Sequence, residues 1–517
     1  MSVNKLFKAS NDVSIDSERV LIPSANGNTF VEKNKIVFDI PRAHQFISLR
    51  ECLLHFDIAL NNNVAGCEFP EAGVQRIIKS LRVVEKTTNR TIETINNYNV
   101  LATNQYHYSL TNGEKNSRSL TELADPQPNN LSNKIISNPF LQSYVGDGSV
   151  ALTVAKKDLK QRVCLKLWSK VFDNDVVWGN SFAPLQVHVE LEDNLRALKV
   201  IPQLNDDDTT NAASLGVALP SGVSETQISI KDDPNKGIDH DNEMPGHPFN
   251  VGMGIKIIEA GKPTLTGTIS KCDINTNLYR IEIAVAVVPG TNYTTAANVV
   301  ATGTELATCT YTVTNPSIEV AVCNVPDSWK DSLIDLIDEN QFRYNFKAID
   351  NVQINQQSGA TNFVNYINSN ATSSSGVLTI PMNSQTADSA TNDLITGQYD
   401  AYDNYNYHYN NANQPSLPVS LVKLNAQSKV SQQHLHELMK CNENFWGTKS
   451  LETFKTDFAV GRSFSVYGGA MRLNNKDLSC NWNVVSGSSL SNNVMFNNYL
   501  VNNKTLIVSK DGVSFEQ

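Results

Sequence analysis

The sequence predicts an all-β protein: two tandem jelly-roll β-barrels with short helices in the loops and a small inserted β domain. Three observations carry this. The chain has 517 residues, too many for one hydrophobic core when domains hold about 100–200. Charged residues make up only 18% against a usual ~25%, and Asn, Ser and Thr supply the polar surface, as strands joined by polar loops require. Period-two alternation recurs along the chain, and the strand-rich first half is matched by a second half of the same plan.

The elements follow in order. Ile36, Phe38 and Ile40 alternate with Val37 and Asp39, and Pro41 ends the strand. Leu54, Phe56, Ile58 and Leu60 alternate with His55, Asp57 and Ala59, which predicts a strand with one buried face. Gln75 to Glu85 and Thr91 to Ile95 read as strands joined through Thr88-Asn89-Arg90. The stretch 96–108 reads as a helix across the sheet edge, as does 119–124. Val163, Leu165 and Leu167 return to β. The clearest alternation is Leu185, Val187, Val189 and Leu191 against Gln186, His188 and Glu190. This set makes one jelly roll, placed at 1–205.

Residues 203–247, with Asp206-Asp207-Asp208 and Asp232-Asp233-Pro234, have a loop composition that supports no core. Compact β patterns at 251–257, 266–269 and 279–285 suggest a small barrel or few-stranded insert, so 206–305 is expected to be an acidic linker and insert domain. The second jelly roll is expected at 306–517. It contains the alternating Ile318, Val320 and Val322, a helix opened by Pro326, and Phe342, Tyr344 and Phe346 alternating with Arg343 and Asn345. A long surface loop is expected near 355–415, carrying the Tyr/Asn run 398–411. That run reads either as a contact surface between subunits or an outer tower, or as a polar exposed loop. A strand at 418–424, a helix at 428–441 and β segments at 454–466 and 505–508 complete the chain.

Charge and motifs exclude several classes. With a net charge of -10 and no basic arm, the chain lacks the cationic surplus that phosphate binding draws on, so no direct sequence-specific contact with nucleic acid is expected. No apolar run resembles a signal peptide or a transmembrane span, which suggests synthesis in the cytosol. Eight cysteines without a CxxC pair read as reduced, mostly buried thiols.

His434-Leu435-His436-Glu437 is the most enzyme-like cluster. Its histidines are two residues apart, whereas a zincin helix needs four to aim both at one metal, so it reads as a solvated helix face. Asp239-His240-Asp241, Glu243 and His247 have cation-ligand chemistry but no EF-hand spacing, and an ion there stays open. Gly252-Met253-Gly254 lacks the third Gly and the Lys-Ser/Thr of a phosphate loop. No GxSxG elbow occurs. No catalytic, cofactor or metal residue is nominated, and no enzyme is expected.

The order of blocks adds a resemblance. Phe30 to Leu60 resembles the opening of double-jelly-roll major capsid proteins of DNA viruses of the polinton-like virus, adintovirus and virophage type. Gly73-Val74-Gln75-Arg76-Ile77-Ile78, with Thr91-Ile92-Glu93-Thr94-Ile95-Asn96-Asn97-Tyr98-Asn99, looks like that family's hairpin and following helix. Strand 185–191 with Asn194-Leu195 is similar to the close of its first jelly roll. Pro248-Phe249-Asn250-Val251-Gly252 looks like the start of a β insert found in some members, and Gly461-Arg462-Ser463-Phe464 falls where the second roll finishes. The resemblance implies a homotrimer, a pseudo-hexameric capsomer that tiles an icosahedral shell beside neighbouring capsomers and penton or minor capsid proteins, and residence in the virion. The segments 203–247 and 355–415 match nothing in that family. The alternatives are a β-sandwich adhesin or carbohydrate-binding fibre-like protein, which would need a glycan or cation site, and a glycan-cleaving jelly roll, which would need paired carboxylates in a groove.

Overall fold

Four four-stranded layers, stacked as two pairs, make up most of the chain. The computed structural model describes residues 16–61, 67–69, 71–124, 160–175, 177–200, 212–231, 249, 252–275, 278–302, 310–339, 342–384, 395, 397–410, 412–421, 432–450, 457–464, 470–473, 476–509 and 512–515.

In the first pair, Asp16–Pro23, Thr310–Asn324, Phe46–Asn61 and Lys160–Lys166 form one antiparallel layer. Arg90–Asn96, Ile78–Glu85, Leu185–Leu191 and Lys35–Asp39 form the other. Leu185–Leu191 shows why alternation predicts strands. Its apolar residues are buried and Gln186, His188 and Glu190 face outward, with Val187 set between Phe38 and Val83 in register. Apart from hairpins such as Ile78–Glu85 with Arg90–Asn96, neighbours in the layers are distant in sequence, as Greek-key jelly rolls require.

The second pair comprises Val460–Ser463, Ser374–Asn383, Val494–Ser509 and Phe342–Gln356, facing Asn362–Tyr366, Leu478–Val484, Tyr402–Tyr409 and Ala412–Ser420. Gly512–Phe515 extends it along Val494–Ser509. Ala412–Ser420 is an exposed edge, and Pro415 and Pro418 remove backbone donors from it, which protects a free edge from added strands.

Inserted in the chain ahead of Thr310–Asn324 of the first pair, strands within 213–302 make a separate six-stranded body in the order 213–214, 298–302, 254–258, 265–275, 278–287, 225–230. A bridge between Leu215 and Ile230 joins its first and last strands, so the sheet closes into a small barrel. Ile228, Ile255, Ile257, Ile281 and Val299 fill its own core.

Four expectations change. Strand Thr310–Asn324, expected in the second half, pairs instead with Asp16–Pro23 and Phe46–Asn61. Alternation identifies a strand but not its sheet, and here pairing crosses the whole insert. Within 203–247, expected to be loop, Glu225–Ile230 is a strand that buries Ile228 and Ile230. Within 355–415, expected to be a surface loop, the core strands Ser374–Asn383 and Tyr402–Tyr409 are found, with Asn362–Tyr366 and the start of Ala412–Ser420 beside them. Tyr402, Tyr405 and Tyr407 are buried in the second core: Tyr405 and Tyr407 share a face two residues apart, and a register shift at 402–404 brings Tyr402 into phase with them. Tyrosine reads as polar in composition yet buries a large ring when its hydroxyl is accommodated. The fourth concerns helix Tyr98–Ser109, expected to lie across a sheet edge. Every one of its residues is buried, so it is a core element polar enough to look external.

Helix Asn112–Glu122 starts with a full capping box: Glu114 N–H donates to Thr111 Oγ1, and Thr111 N–H donates to Glu114 at 2.7 Å. Helix Asp327–Asp338 follows Pro326 and packs Leu333 and Ile337 inward, linking the two pairs. Cys52, Cys272, Cys323, Cys441 and Cys480 are buried, and Cys164 is half-buried.

Candidate functional site: the seam between the barrels

The two barrels share a sheet. Strand Arg90–Asn96 of the first lies parallel to Phe342–Gln356 of the second through the Thr94–Asp350 pair, giving one nine-stranded sheet across the molecule. The apolar core is likewise continuous, running from Leu81, Ile95 and Trp178 to Tyr344, Ile380 and Tyr499.

Helix Tyr98–Ser109 is the main bolt. Asn97, in left-handed conformation just before it, donates to Asn497 Oδ1 at 2.8 Å, and its carbonyl accepts from the Tyr499 hydroxyl at 2.8 Å. A short polar residue tolerates that backbone conformation better than a branched one would. Farther along, Asn104 donates to Asp457 Oδ2 at 3.0 Å and the Tyr108 hydroxyl donates to the Asp457 carbonyl at 2.8 Å. At the helix end the Tyr108 carbonyl accepts from Lys449 N–H at 2.7 Å, and Ser109 Oγ donates to the Gly447 carbonyl at 2.6 Å.

Aromatic rings fill the space between. Trp178 stacks on Tyr344 with centroids 4.4 Å apart, and the Tyr344 hydroxyl accepts from Gly179 N–H. Trp168 and Trp446, one from each barrel, meet edge to face at 5.0 Å, with Arg118 lying 4.6 Å from the Trp168 ring and Lys170 4.6 Å from the Trp446 ring. Burial pushes the Lys170 ammonium below its ordinary pKa. Asp173 at 3.0 Å opposes the shift, and Lys170 Nζ also donates to the Phe445 carbonyl. Burial raises the pKa of the Tyr98, Tyr108 and Tyr344 hydroxyls, keeping them neutral.

Each neutral hydrogen bond contributes on the order of 1 kcal/mol net, and each aromatic pair about 0.5–1.5 kcal/mol. With a continuous apolar core beneath them, these contacts make the two barrels one rigid block rather than hinged domains. A cavity of about 140 Å³ at the rim, lined by Leu110, Arg118, Trp168, Trp446 and Lys449 among others, is smaller than the roughly 300–1,000 Å³ of ordinary ligand pockets.

The sequence-singled residues lie elsewhere. His434 is buried against Tyr405 and Phe458, with its Nδ1 3.4 Å from the Tyr405 hydroxyl, and burial lowers its pKa to about 3. His436 is exposed, so the two do face different sides, but the expected solvated face holds only one of them. Glu437 pairs with Arg462. Among the described residues no three His, Cys, Asp or Glu side chains gather as metal ligands, and no helix is long and apolar enough to cross a membrane. Asp239, His240, Asp241, Glu243 and His247 lie outside the described residues. Sequence reasoning missed the seam. Its one local signal is the polar but uncharged run Asn96 to Ser109, directly after a strand.

Two jelly rolls in one chain, fused through a common sheet, define a double-jelly-roll protein. No protein-family model and no curated protein matches the chain. Among solved structures it is similar to the Faustovirus major capsid protein, with 11% identity and a TM-score of 0.50 over 97% of this chain and 92% of that one. It also aligns with the PBCV-1 virus capsid at 9% identity, TM-score 0.47, over 99% of each chain. The mavirus major capsid protein aligns at 9% identity and TM-score 0.41, over 98% of this chain and 93% of that one. At such identities the likeness is one of fold.

Proposed function

We propose that this chain is a viral major capsid protein that trimerises into pseudo-hexameric capsomers and tiles an icosahedral shell, acting by assembly and not by catalysis. The rigid pairing of two similar barrels carries the reading. Three such blocks around a three-fold axis present six nearly equivalent faces, which pack with neighbours as a hexamer would. The full-length likeness in fold to the Faustovirus major capsid protein supports it. The acidic balance suits a shell that leaves genome neutralisation to other components. Neighbouring capsomers and penton or minor coat proteins are the partners this role needs, and the virion is its location.

The adhesin alternative gains no specific observation from the described residues. Light-scattering mass of the purified protein tests the proposal. A particle of three times the 57.0 kDa chain mass, or shells, supports it. A monomer at all concentrations, in the presence of co-expressed coat partners, overturns it.

A further inference from the structure

Glu93 occupies the point where the two barrels meet, one residue from the Thr94–Asp350 pair that joins the two sheets. Its side chain is fully buried. One carboxyl oxygen accepts Lys170 N–H at 3.0 Å from the first barrel and Ile349 N–H at 2.8 Å from the second. The other oxygen contacts the Ser169 hydroxyl, which in turn accepts from Phe172 N–H at 3.2 Å. One carboxyl therefore ties a strand of the first barrel, the 169–172 turn and a strand of the second.

The charged groups around it are committed elsewhere. Lys504 Nζ, on Val494–Ser509, donates to the Ile92 carbonyl at 2.9 Å and to Asp350 at 2.8 Å. Lys170 Nζ is held by Asp173 and the Phe445 carbonyl, and Lys347 lies close enough to lower the Lys170 pKa. Tyr98, on the buried helix, stays neutral through burial. Among the described residues no cation forms an ion pair with Glu93, so in this buried seam its ionised form rests on three hydrogen bonds and the more distant charge of Lys504.

We propose that Glu93 is a protonation-controlled latch between the two barrels: neutral, it clamps the 169–172 turn to strand Phe342–Gln356; ionised, it brings an unpaired charge into the seam and loosens it. Desolvation is the largest influence on this carboxyl, and it raises the pKa from 4.5 to about 7, against the opposing pull of Ser169, Ile349, Lys170 and Lys504. Because the folded protein holds the proton more tightly than the unfolded chain, the contribution of the neutral form is complete below about pH 4.5. It is lost as pH rises through 7. The window lies around neutrality, where a modest change in medium moves the equilibrium. This inference concerns the joint within one chain and stands whether or not the chain builds a shell.

Urea unfolding of wild type and Glu93→Gln at pH 5.5 and pH 8.0 tests it. Gln keeps the size and the acceptor oxygen without a charge. The wild-type folding constant should fall roughly 20-fold more than that of the variant between the two pH values. Equal pH dependence in the two proteins would overturn the proposal. If the variant does not fold, infrared titration of the Glu122→Gln protein, labelled at its Glu carboxyls, reads Glu93 without the other buried, raised carboxyl at Glu122. A buried carboxylic acid C=O band that disappears with a midpoint between pH 6 and 8 supports the latch. The absence of any such band at pH 5.5 overturns it.

Discussion

Replacing Tyr402 gives two opposite results depending on whether the 402–409 segment is core or loop. The side chain is fully buried, with ring centroids 4.8 Å from Trp482, 5.8 Å from Phe458, 6.2 Å from Phe496 and 5.8 Å from Tyr399. Tyr402→Ala removes a ring from the centre of the second core, and large aromatic truncations of this kind cost about 3–5 kcal/mol in transfer and cavity energy. Lost aromatic pairings place the effect at the upper end of that range. The Tyr402 hydroxyl is buried and finds no hydrogen-bond partner among the described residues. Tyr402→Phe therefore discards an unsatisfied polar atom and should be neutral or stabilising. Urea unfolding followed by tryptophan fluorescence measures both, since Trp482 lies beside the site. An Ala variant within about 0.5 kcal/mol of wild type, the range of exposed positions, would show that Tyr402 is not a core residue.

Other outcomes follow from the same structure. Deleting 398–411 should unfold the second barrel outright, because it removes a strand whose Tyr402, Tyr405 and Tyr407 are core; a folded product on circular dichroism would contradict this. Folded His434 has its pKa lowered from 6.5 to about 3, so its contribution is present above pH 6.5 and is lost as pH falls toward 3. Between pH 6.5 and 5 the wild type should lose about 1.5 kcal/mol that His434→Leu does not, in paired urea titrations. Thr111→Ala breaks the capping box and should cost about 1 kcal/mol. Gly73 has φ +60° and an added Cβ would lie 2.3 Å from the Glu122 carbonyl oxygen, so Gly73→Ala should cost more than about 2 kcal/mol in thermal or urea unfolding.

What was legible in the sequence was alternation among aliphatic residues. Leu185 to Leu191 and Phe342 to Phe346 announce strands because burial and residue type alternate together. The same rule failed where core strands use polar or amphipathic residues. Val494–Ser509 sits at the centre of its sheet with Asn497, Asn498 and Asn502 buried, and their polarity hides the strand. Cross-strand partners such as Thr379 for Asn498 at 2.7 Å and Asp350 for Asn502 at 2.6 Å make that burial tolerable, and no local pattern reveals a partner more than a hundred residues away. The sheet membership of Thr310–Asn324 is hidden for a related reason: its register with Phe46–Asn61 is set by long-range pairing. The seam combines both difficulties. Glu93 looks like any solvent-facing carboxylate in a strand until Ser169, Lys170 and Ile349 are brought to it.

The central claim is that two locked barrels make one block of a three-fold capsomer. Cryo-electron microscopy of the purified protein, at concentrations where light scattering shows its largest stable species, tests this most directly. The account predicts three-fold particles with a six-sided outline, each chain contributing two adjacent barrels with the small 213–302 barrel as a separate lobe. Isolated two-barrel particles, or oligomers in which the barrels of one chain separate and move independently, would contradict it.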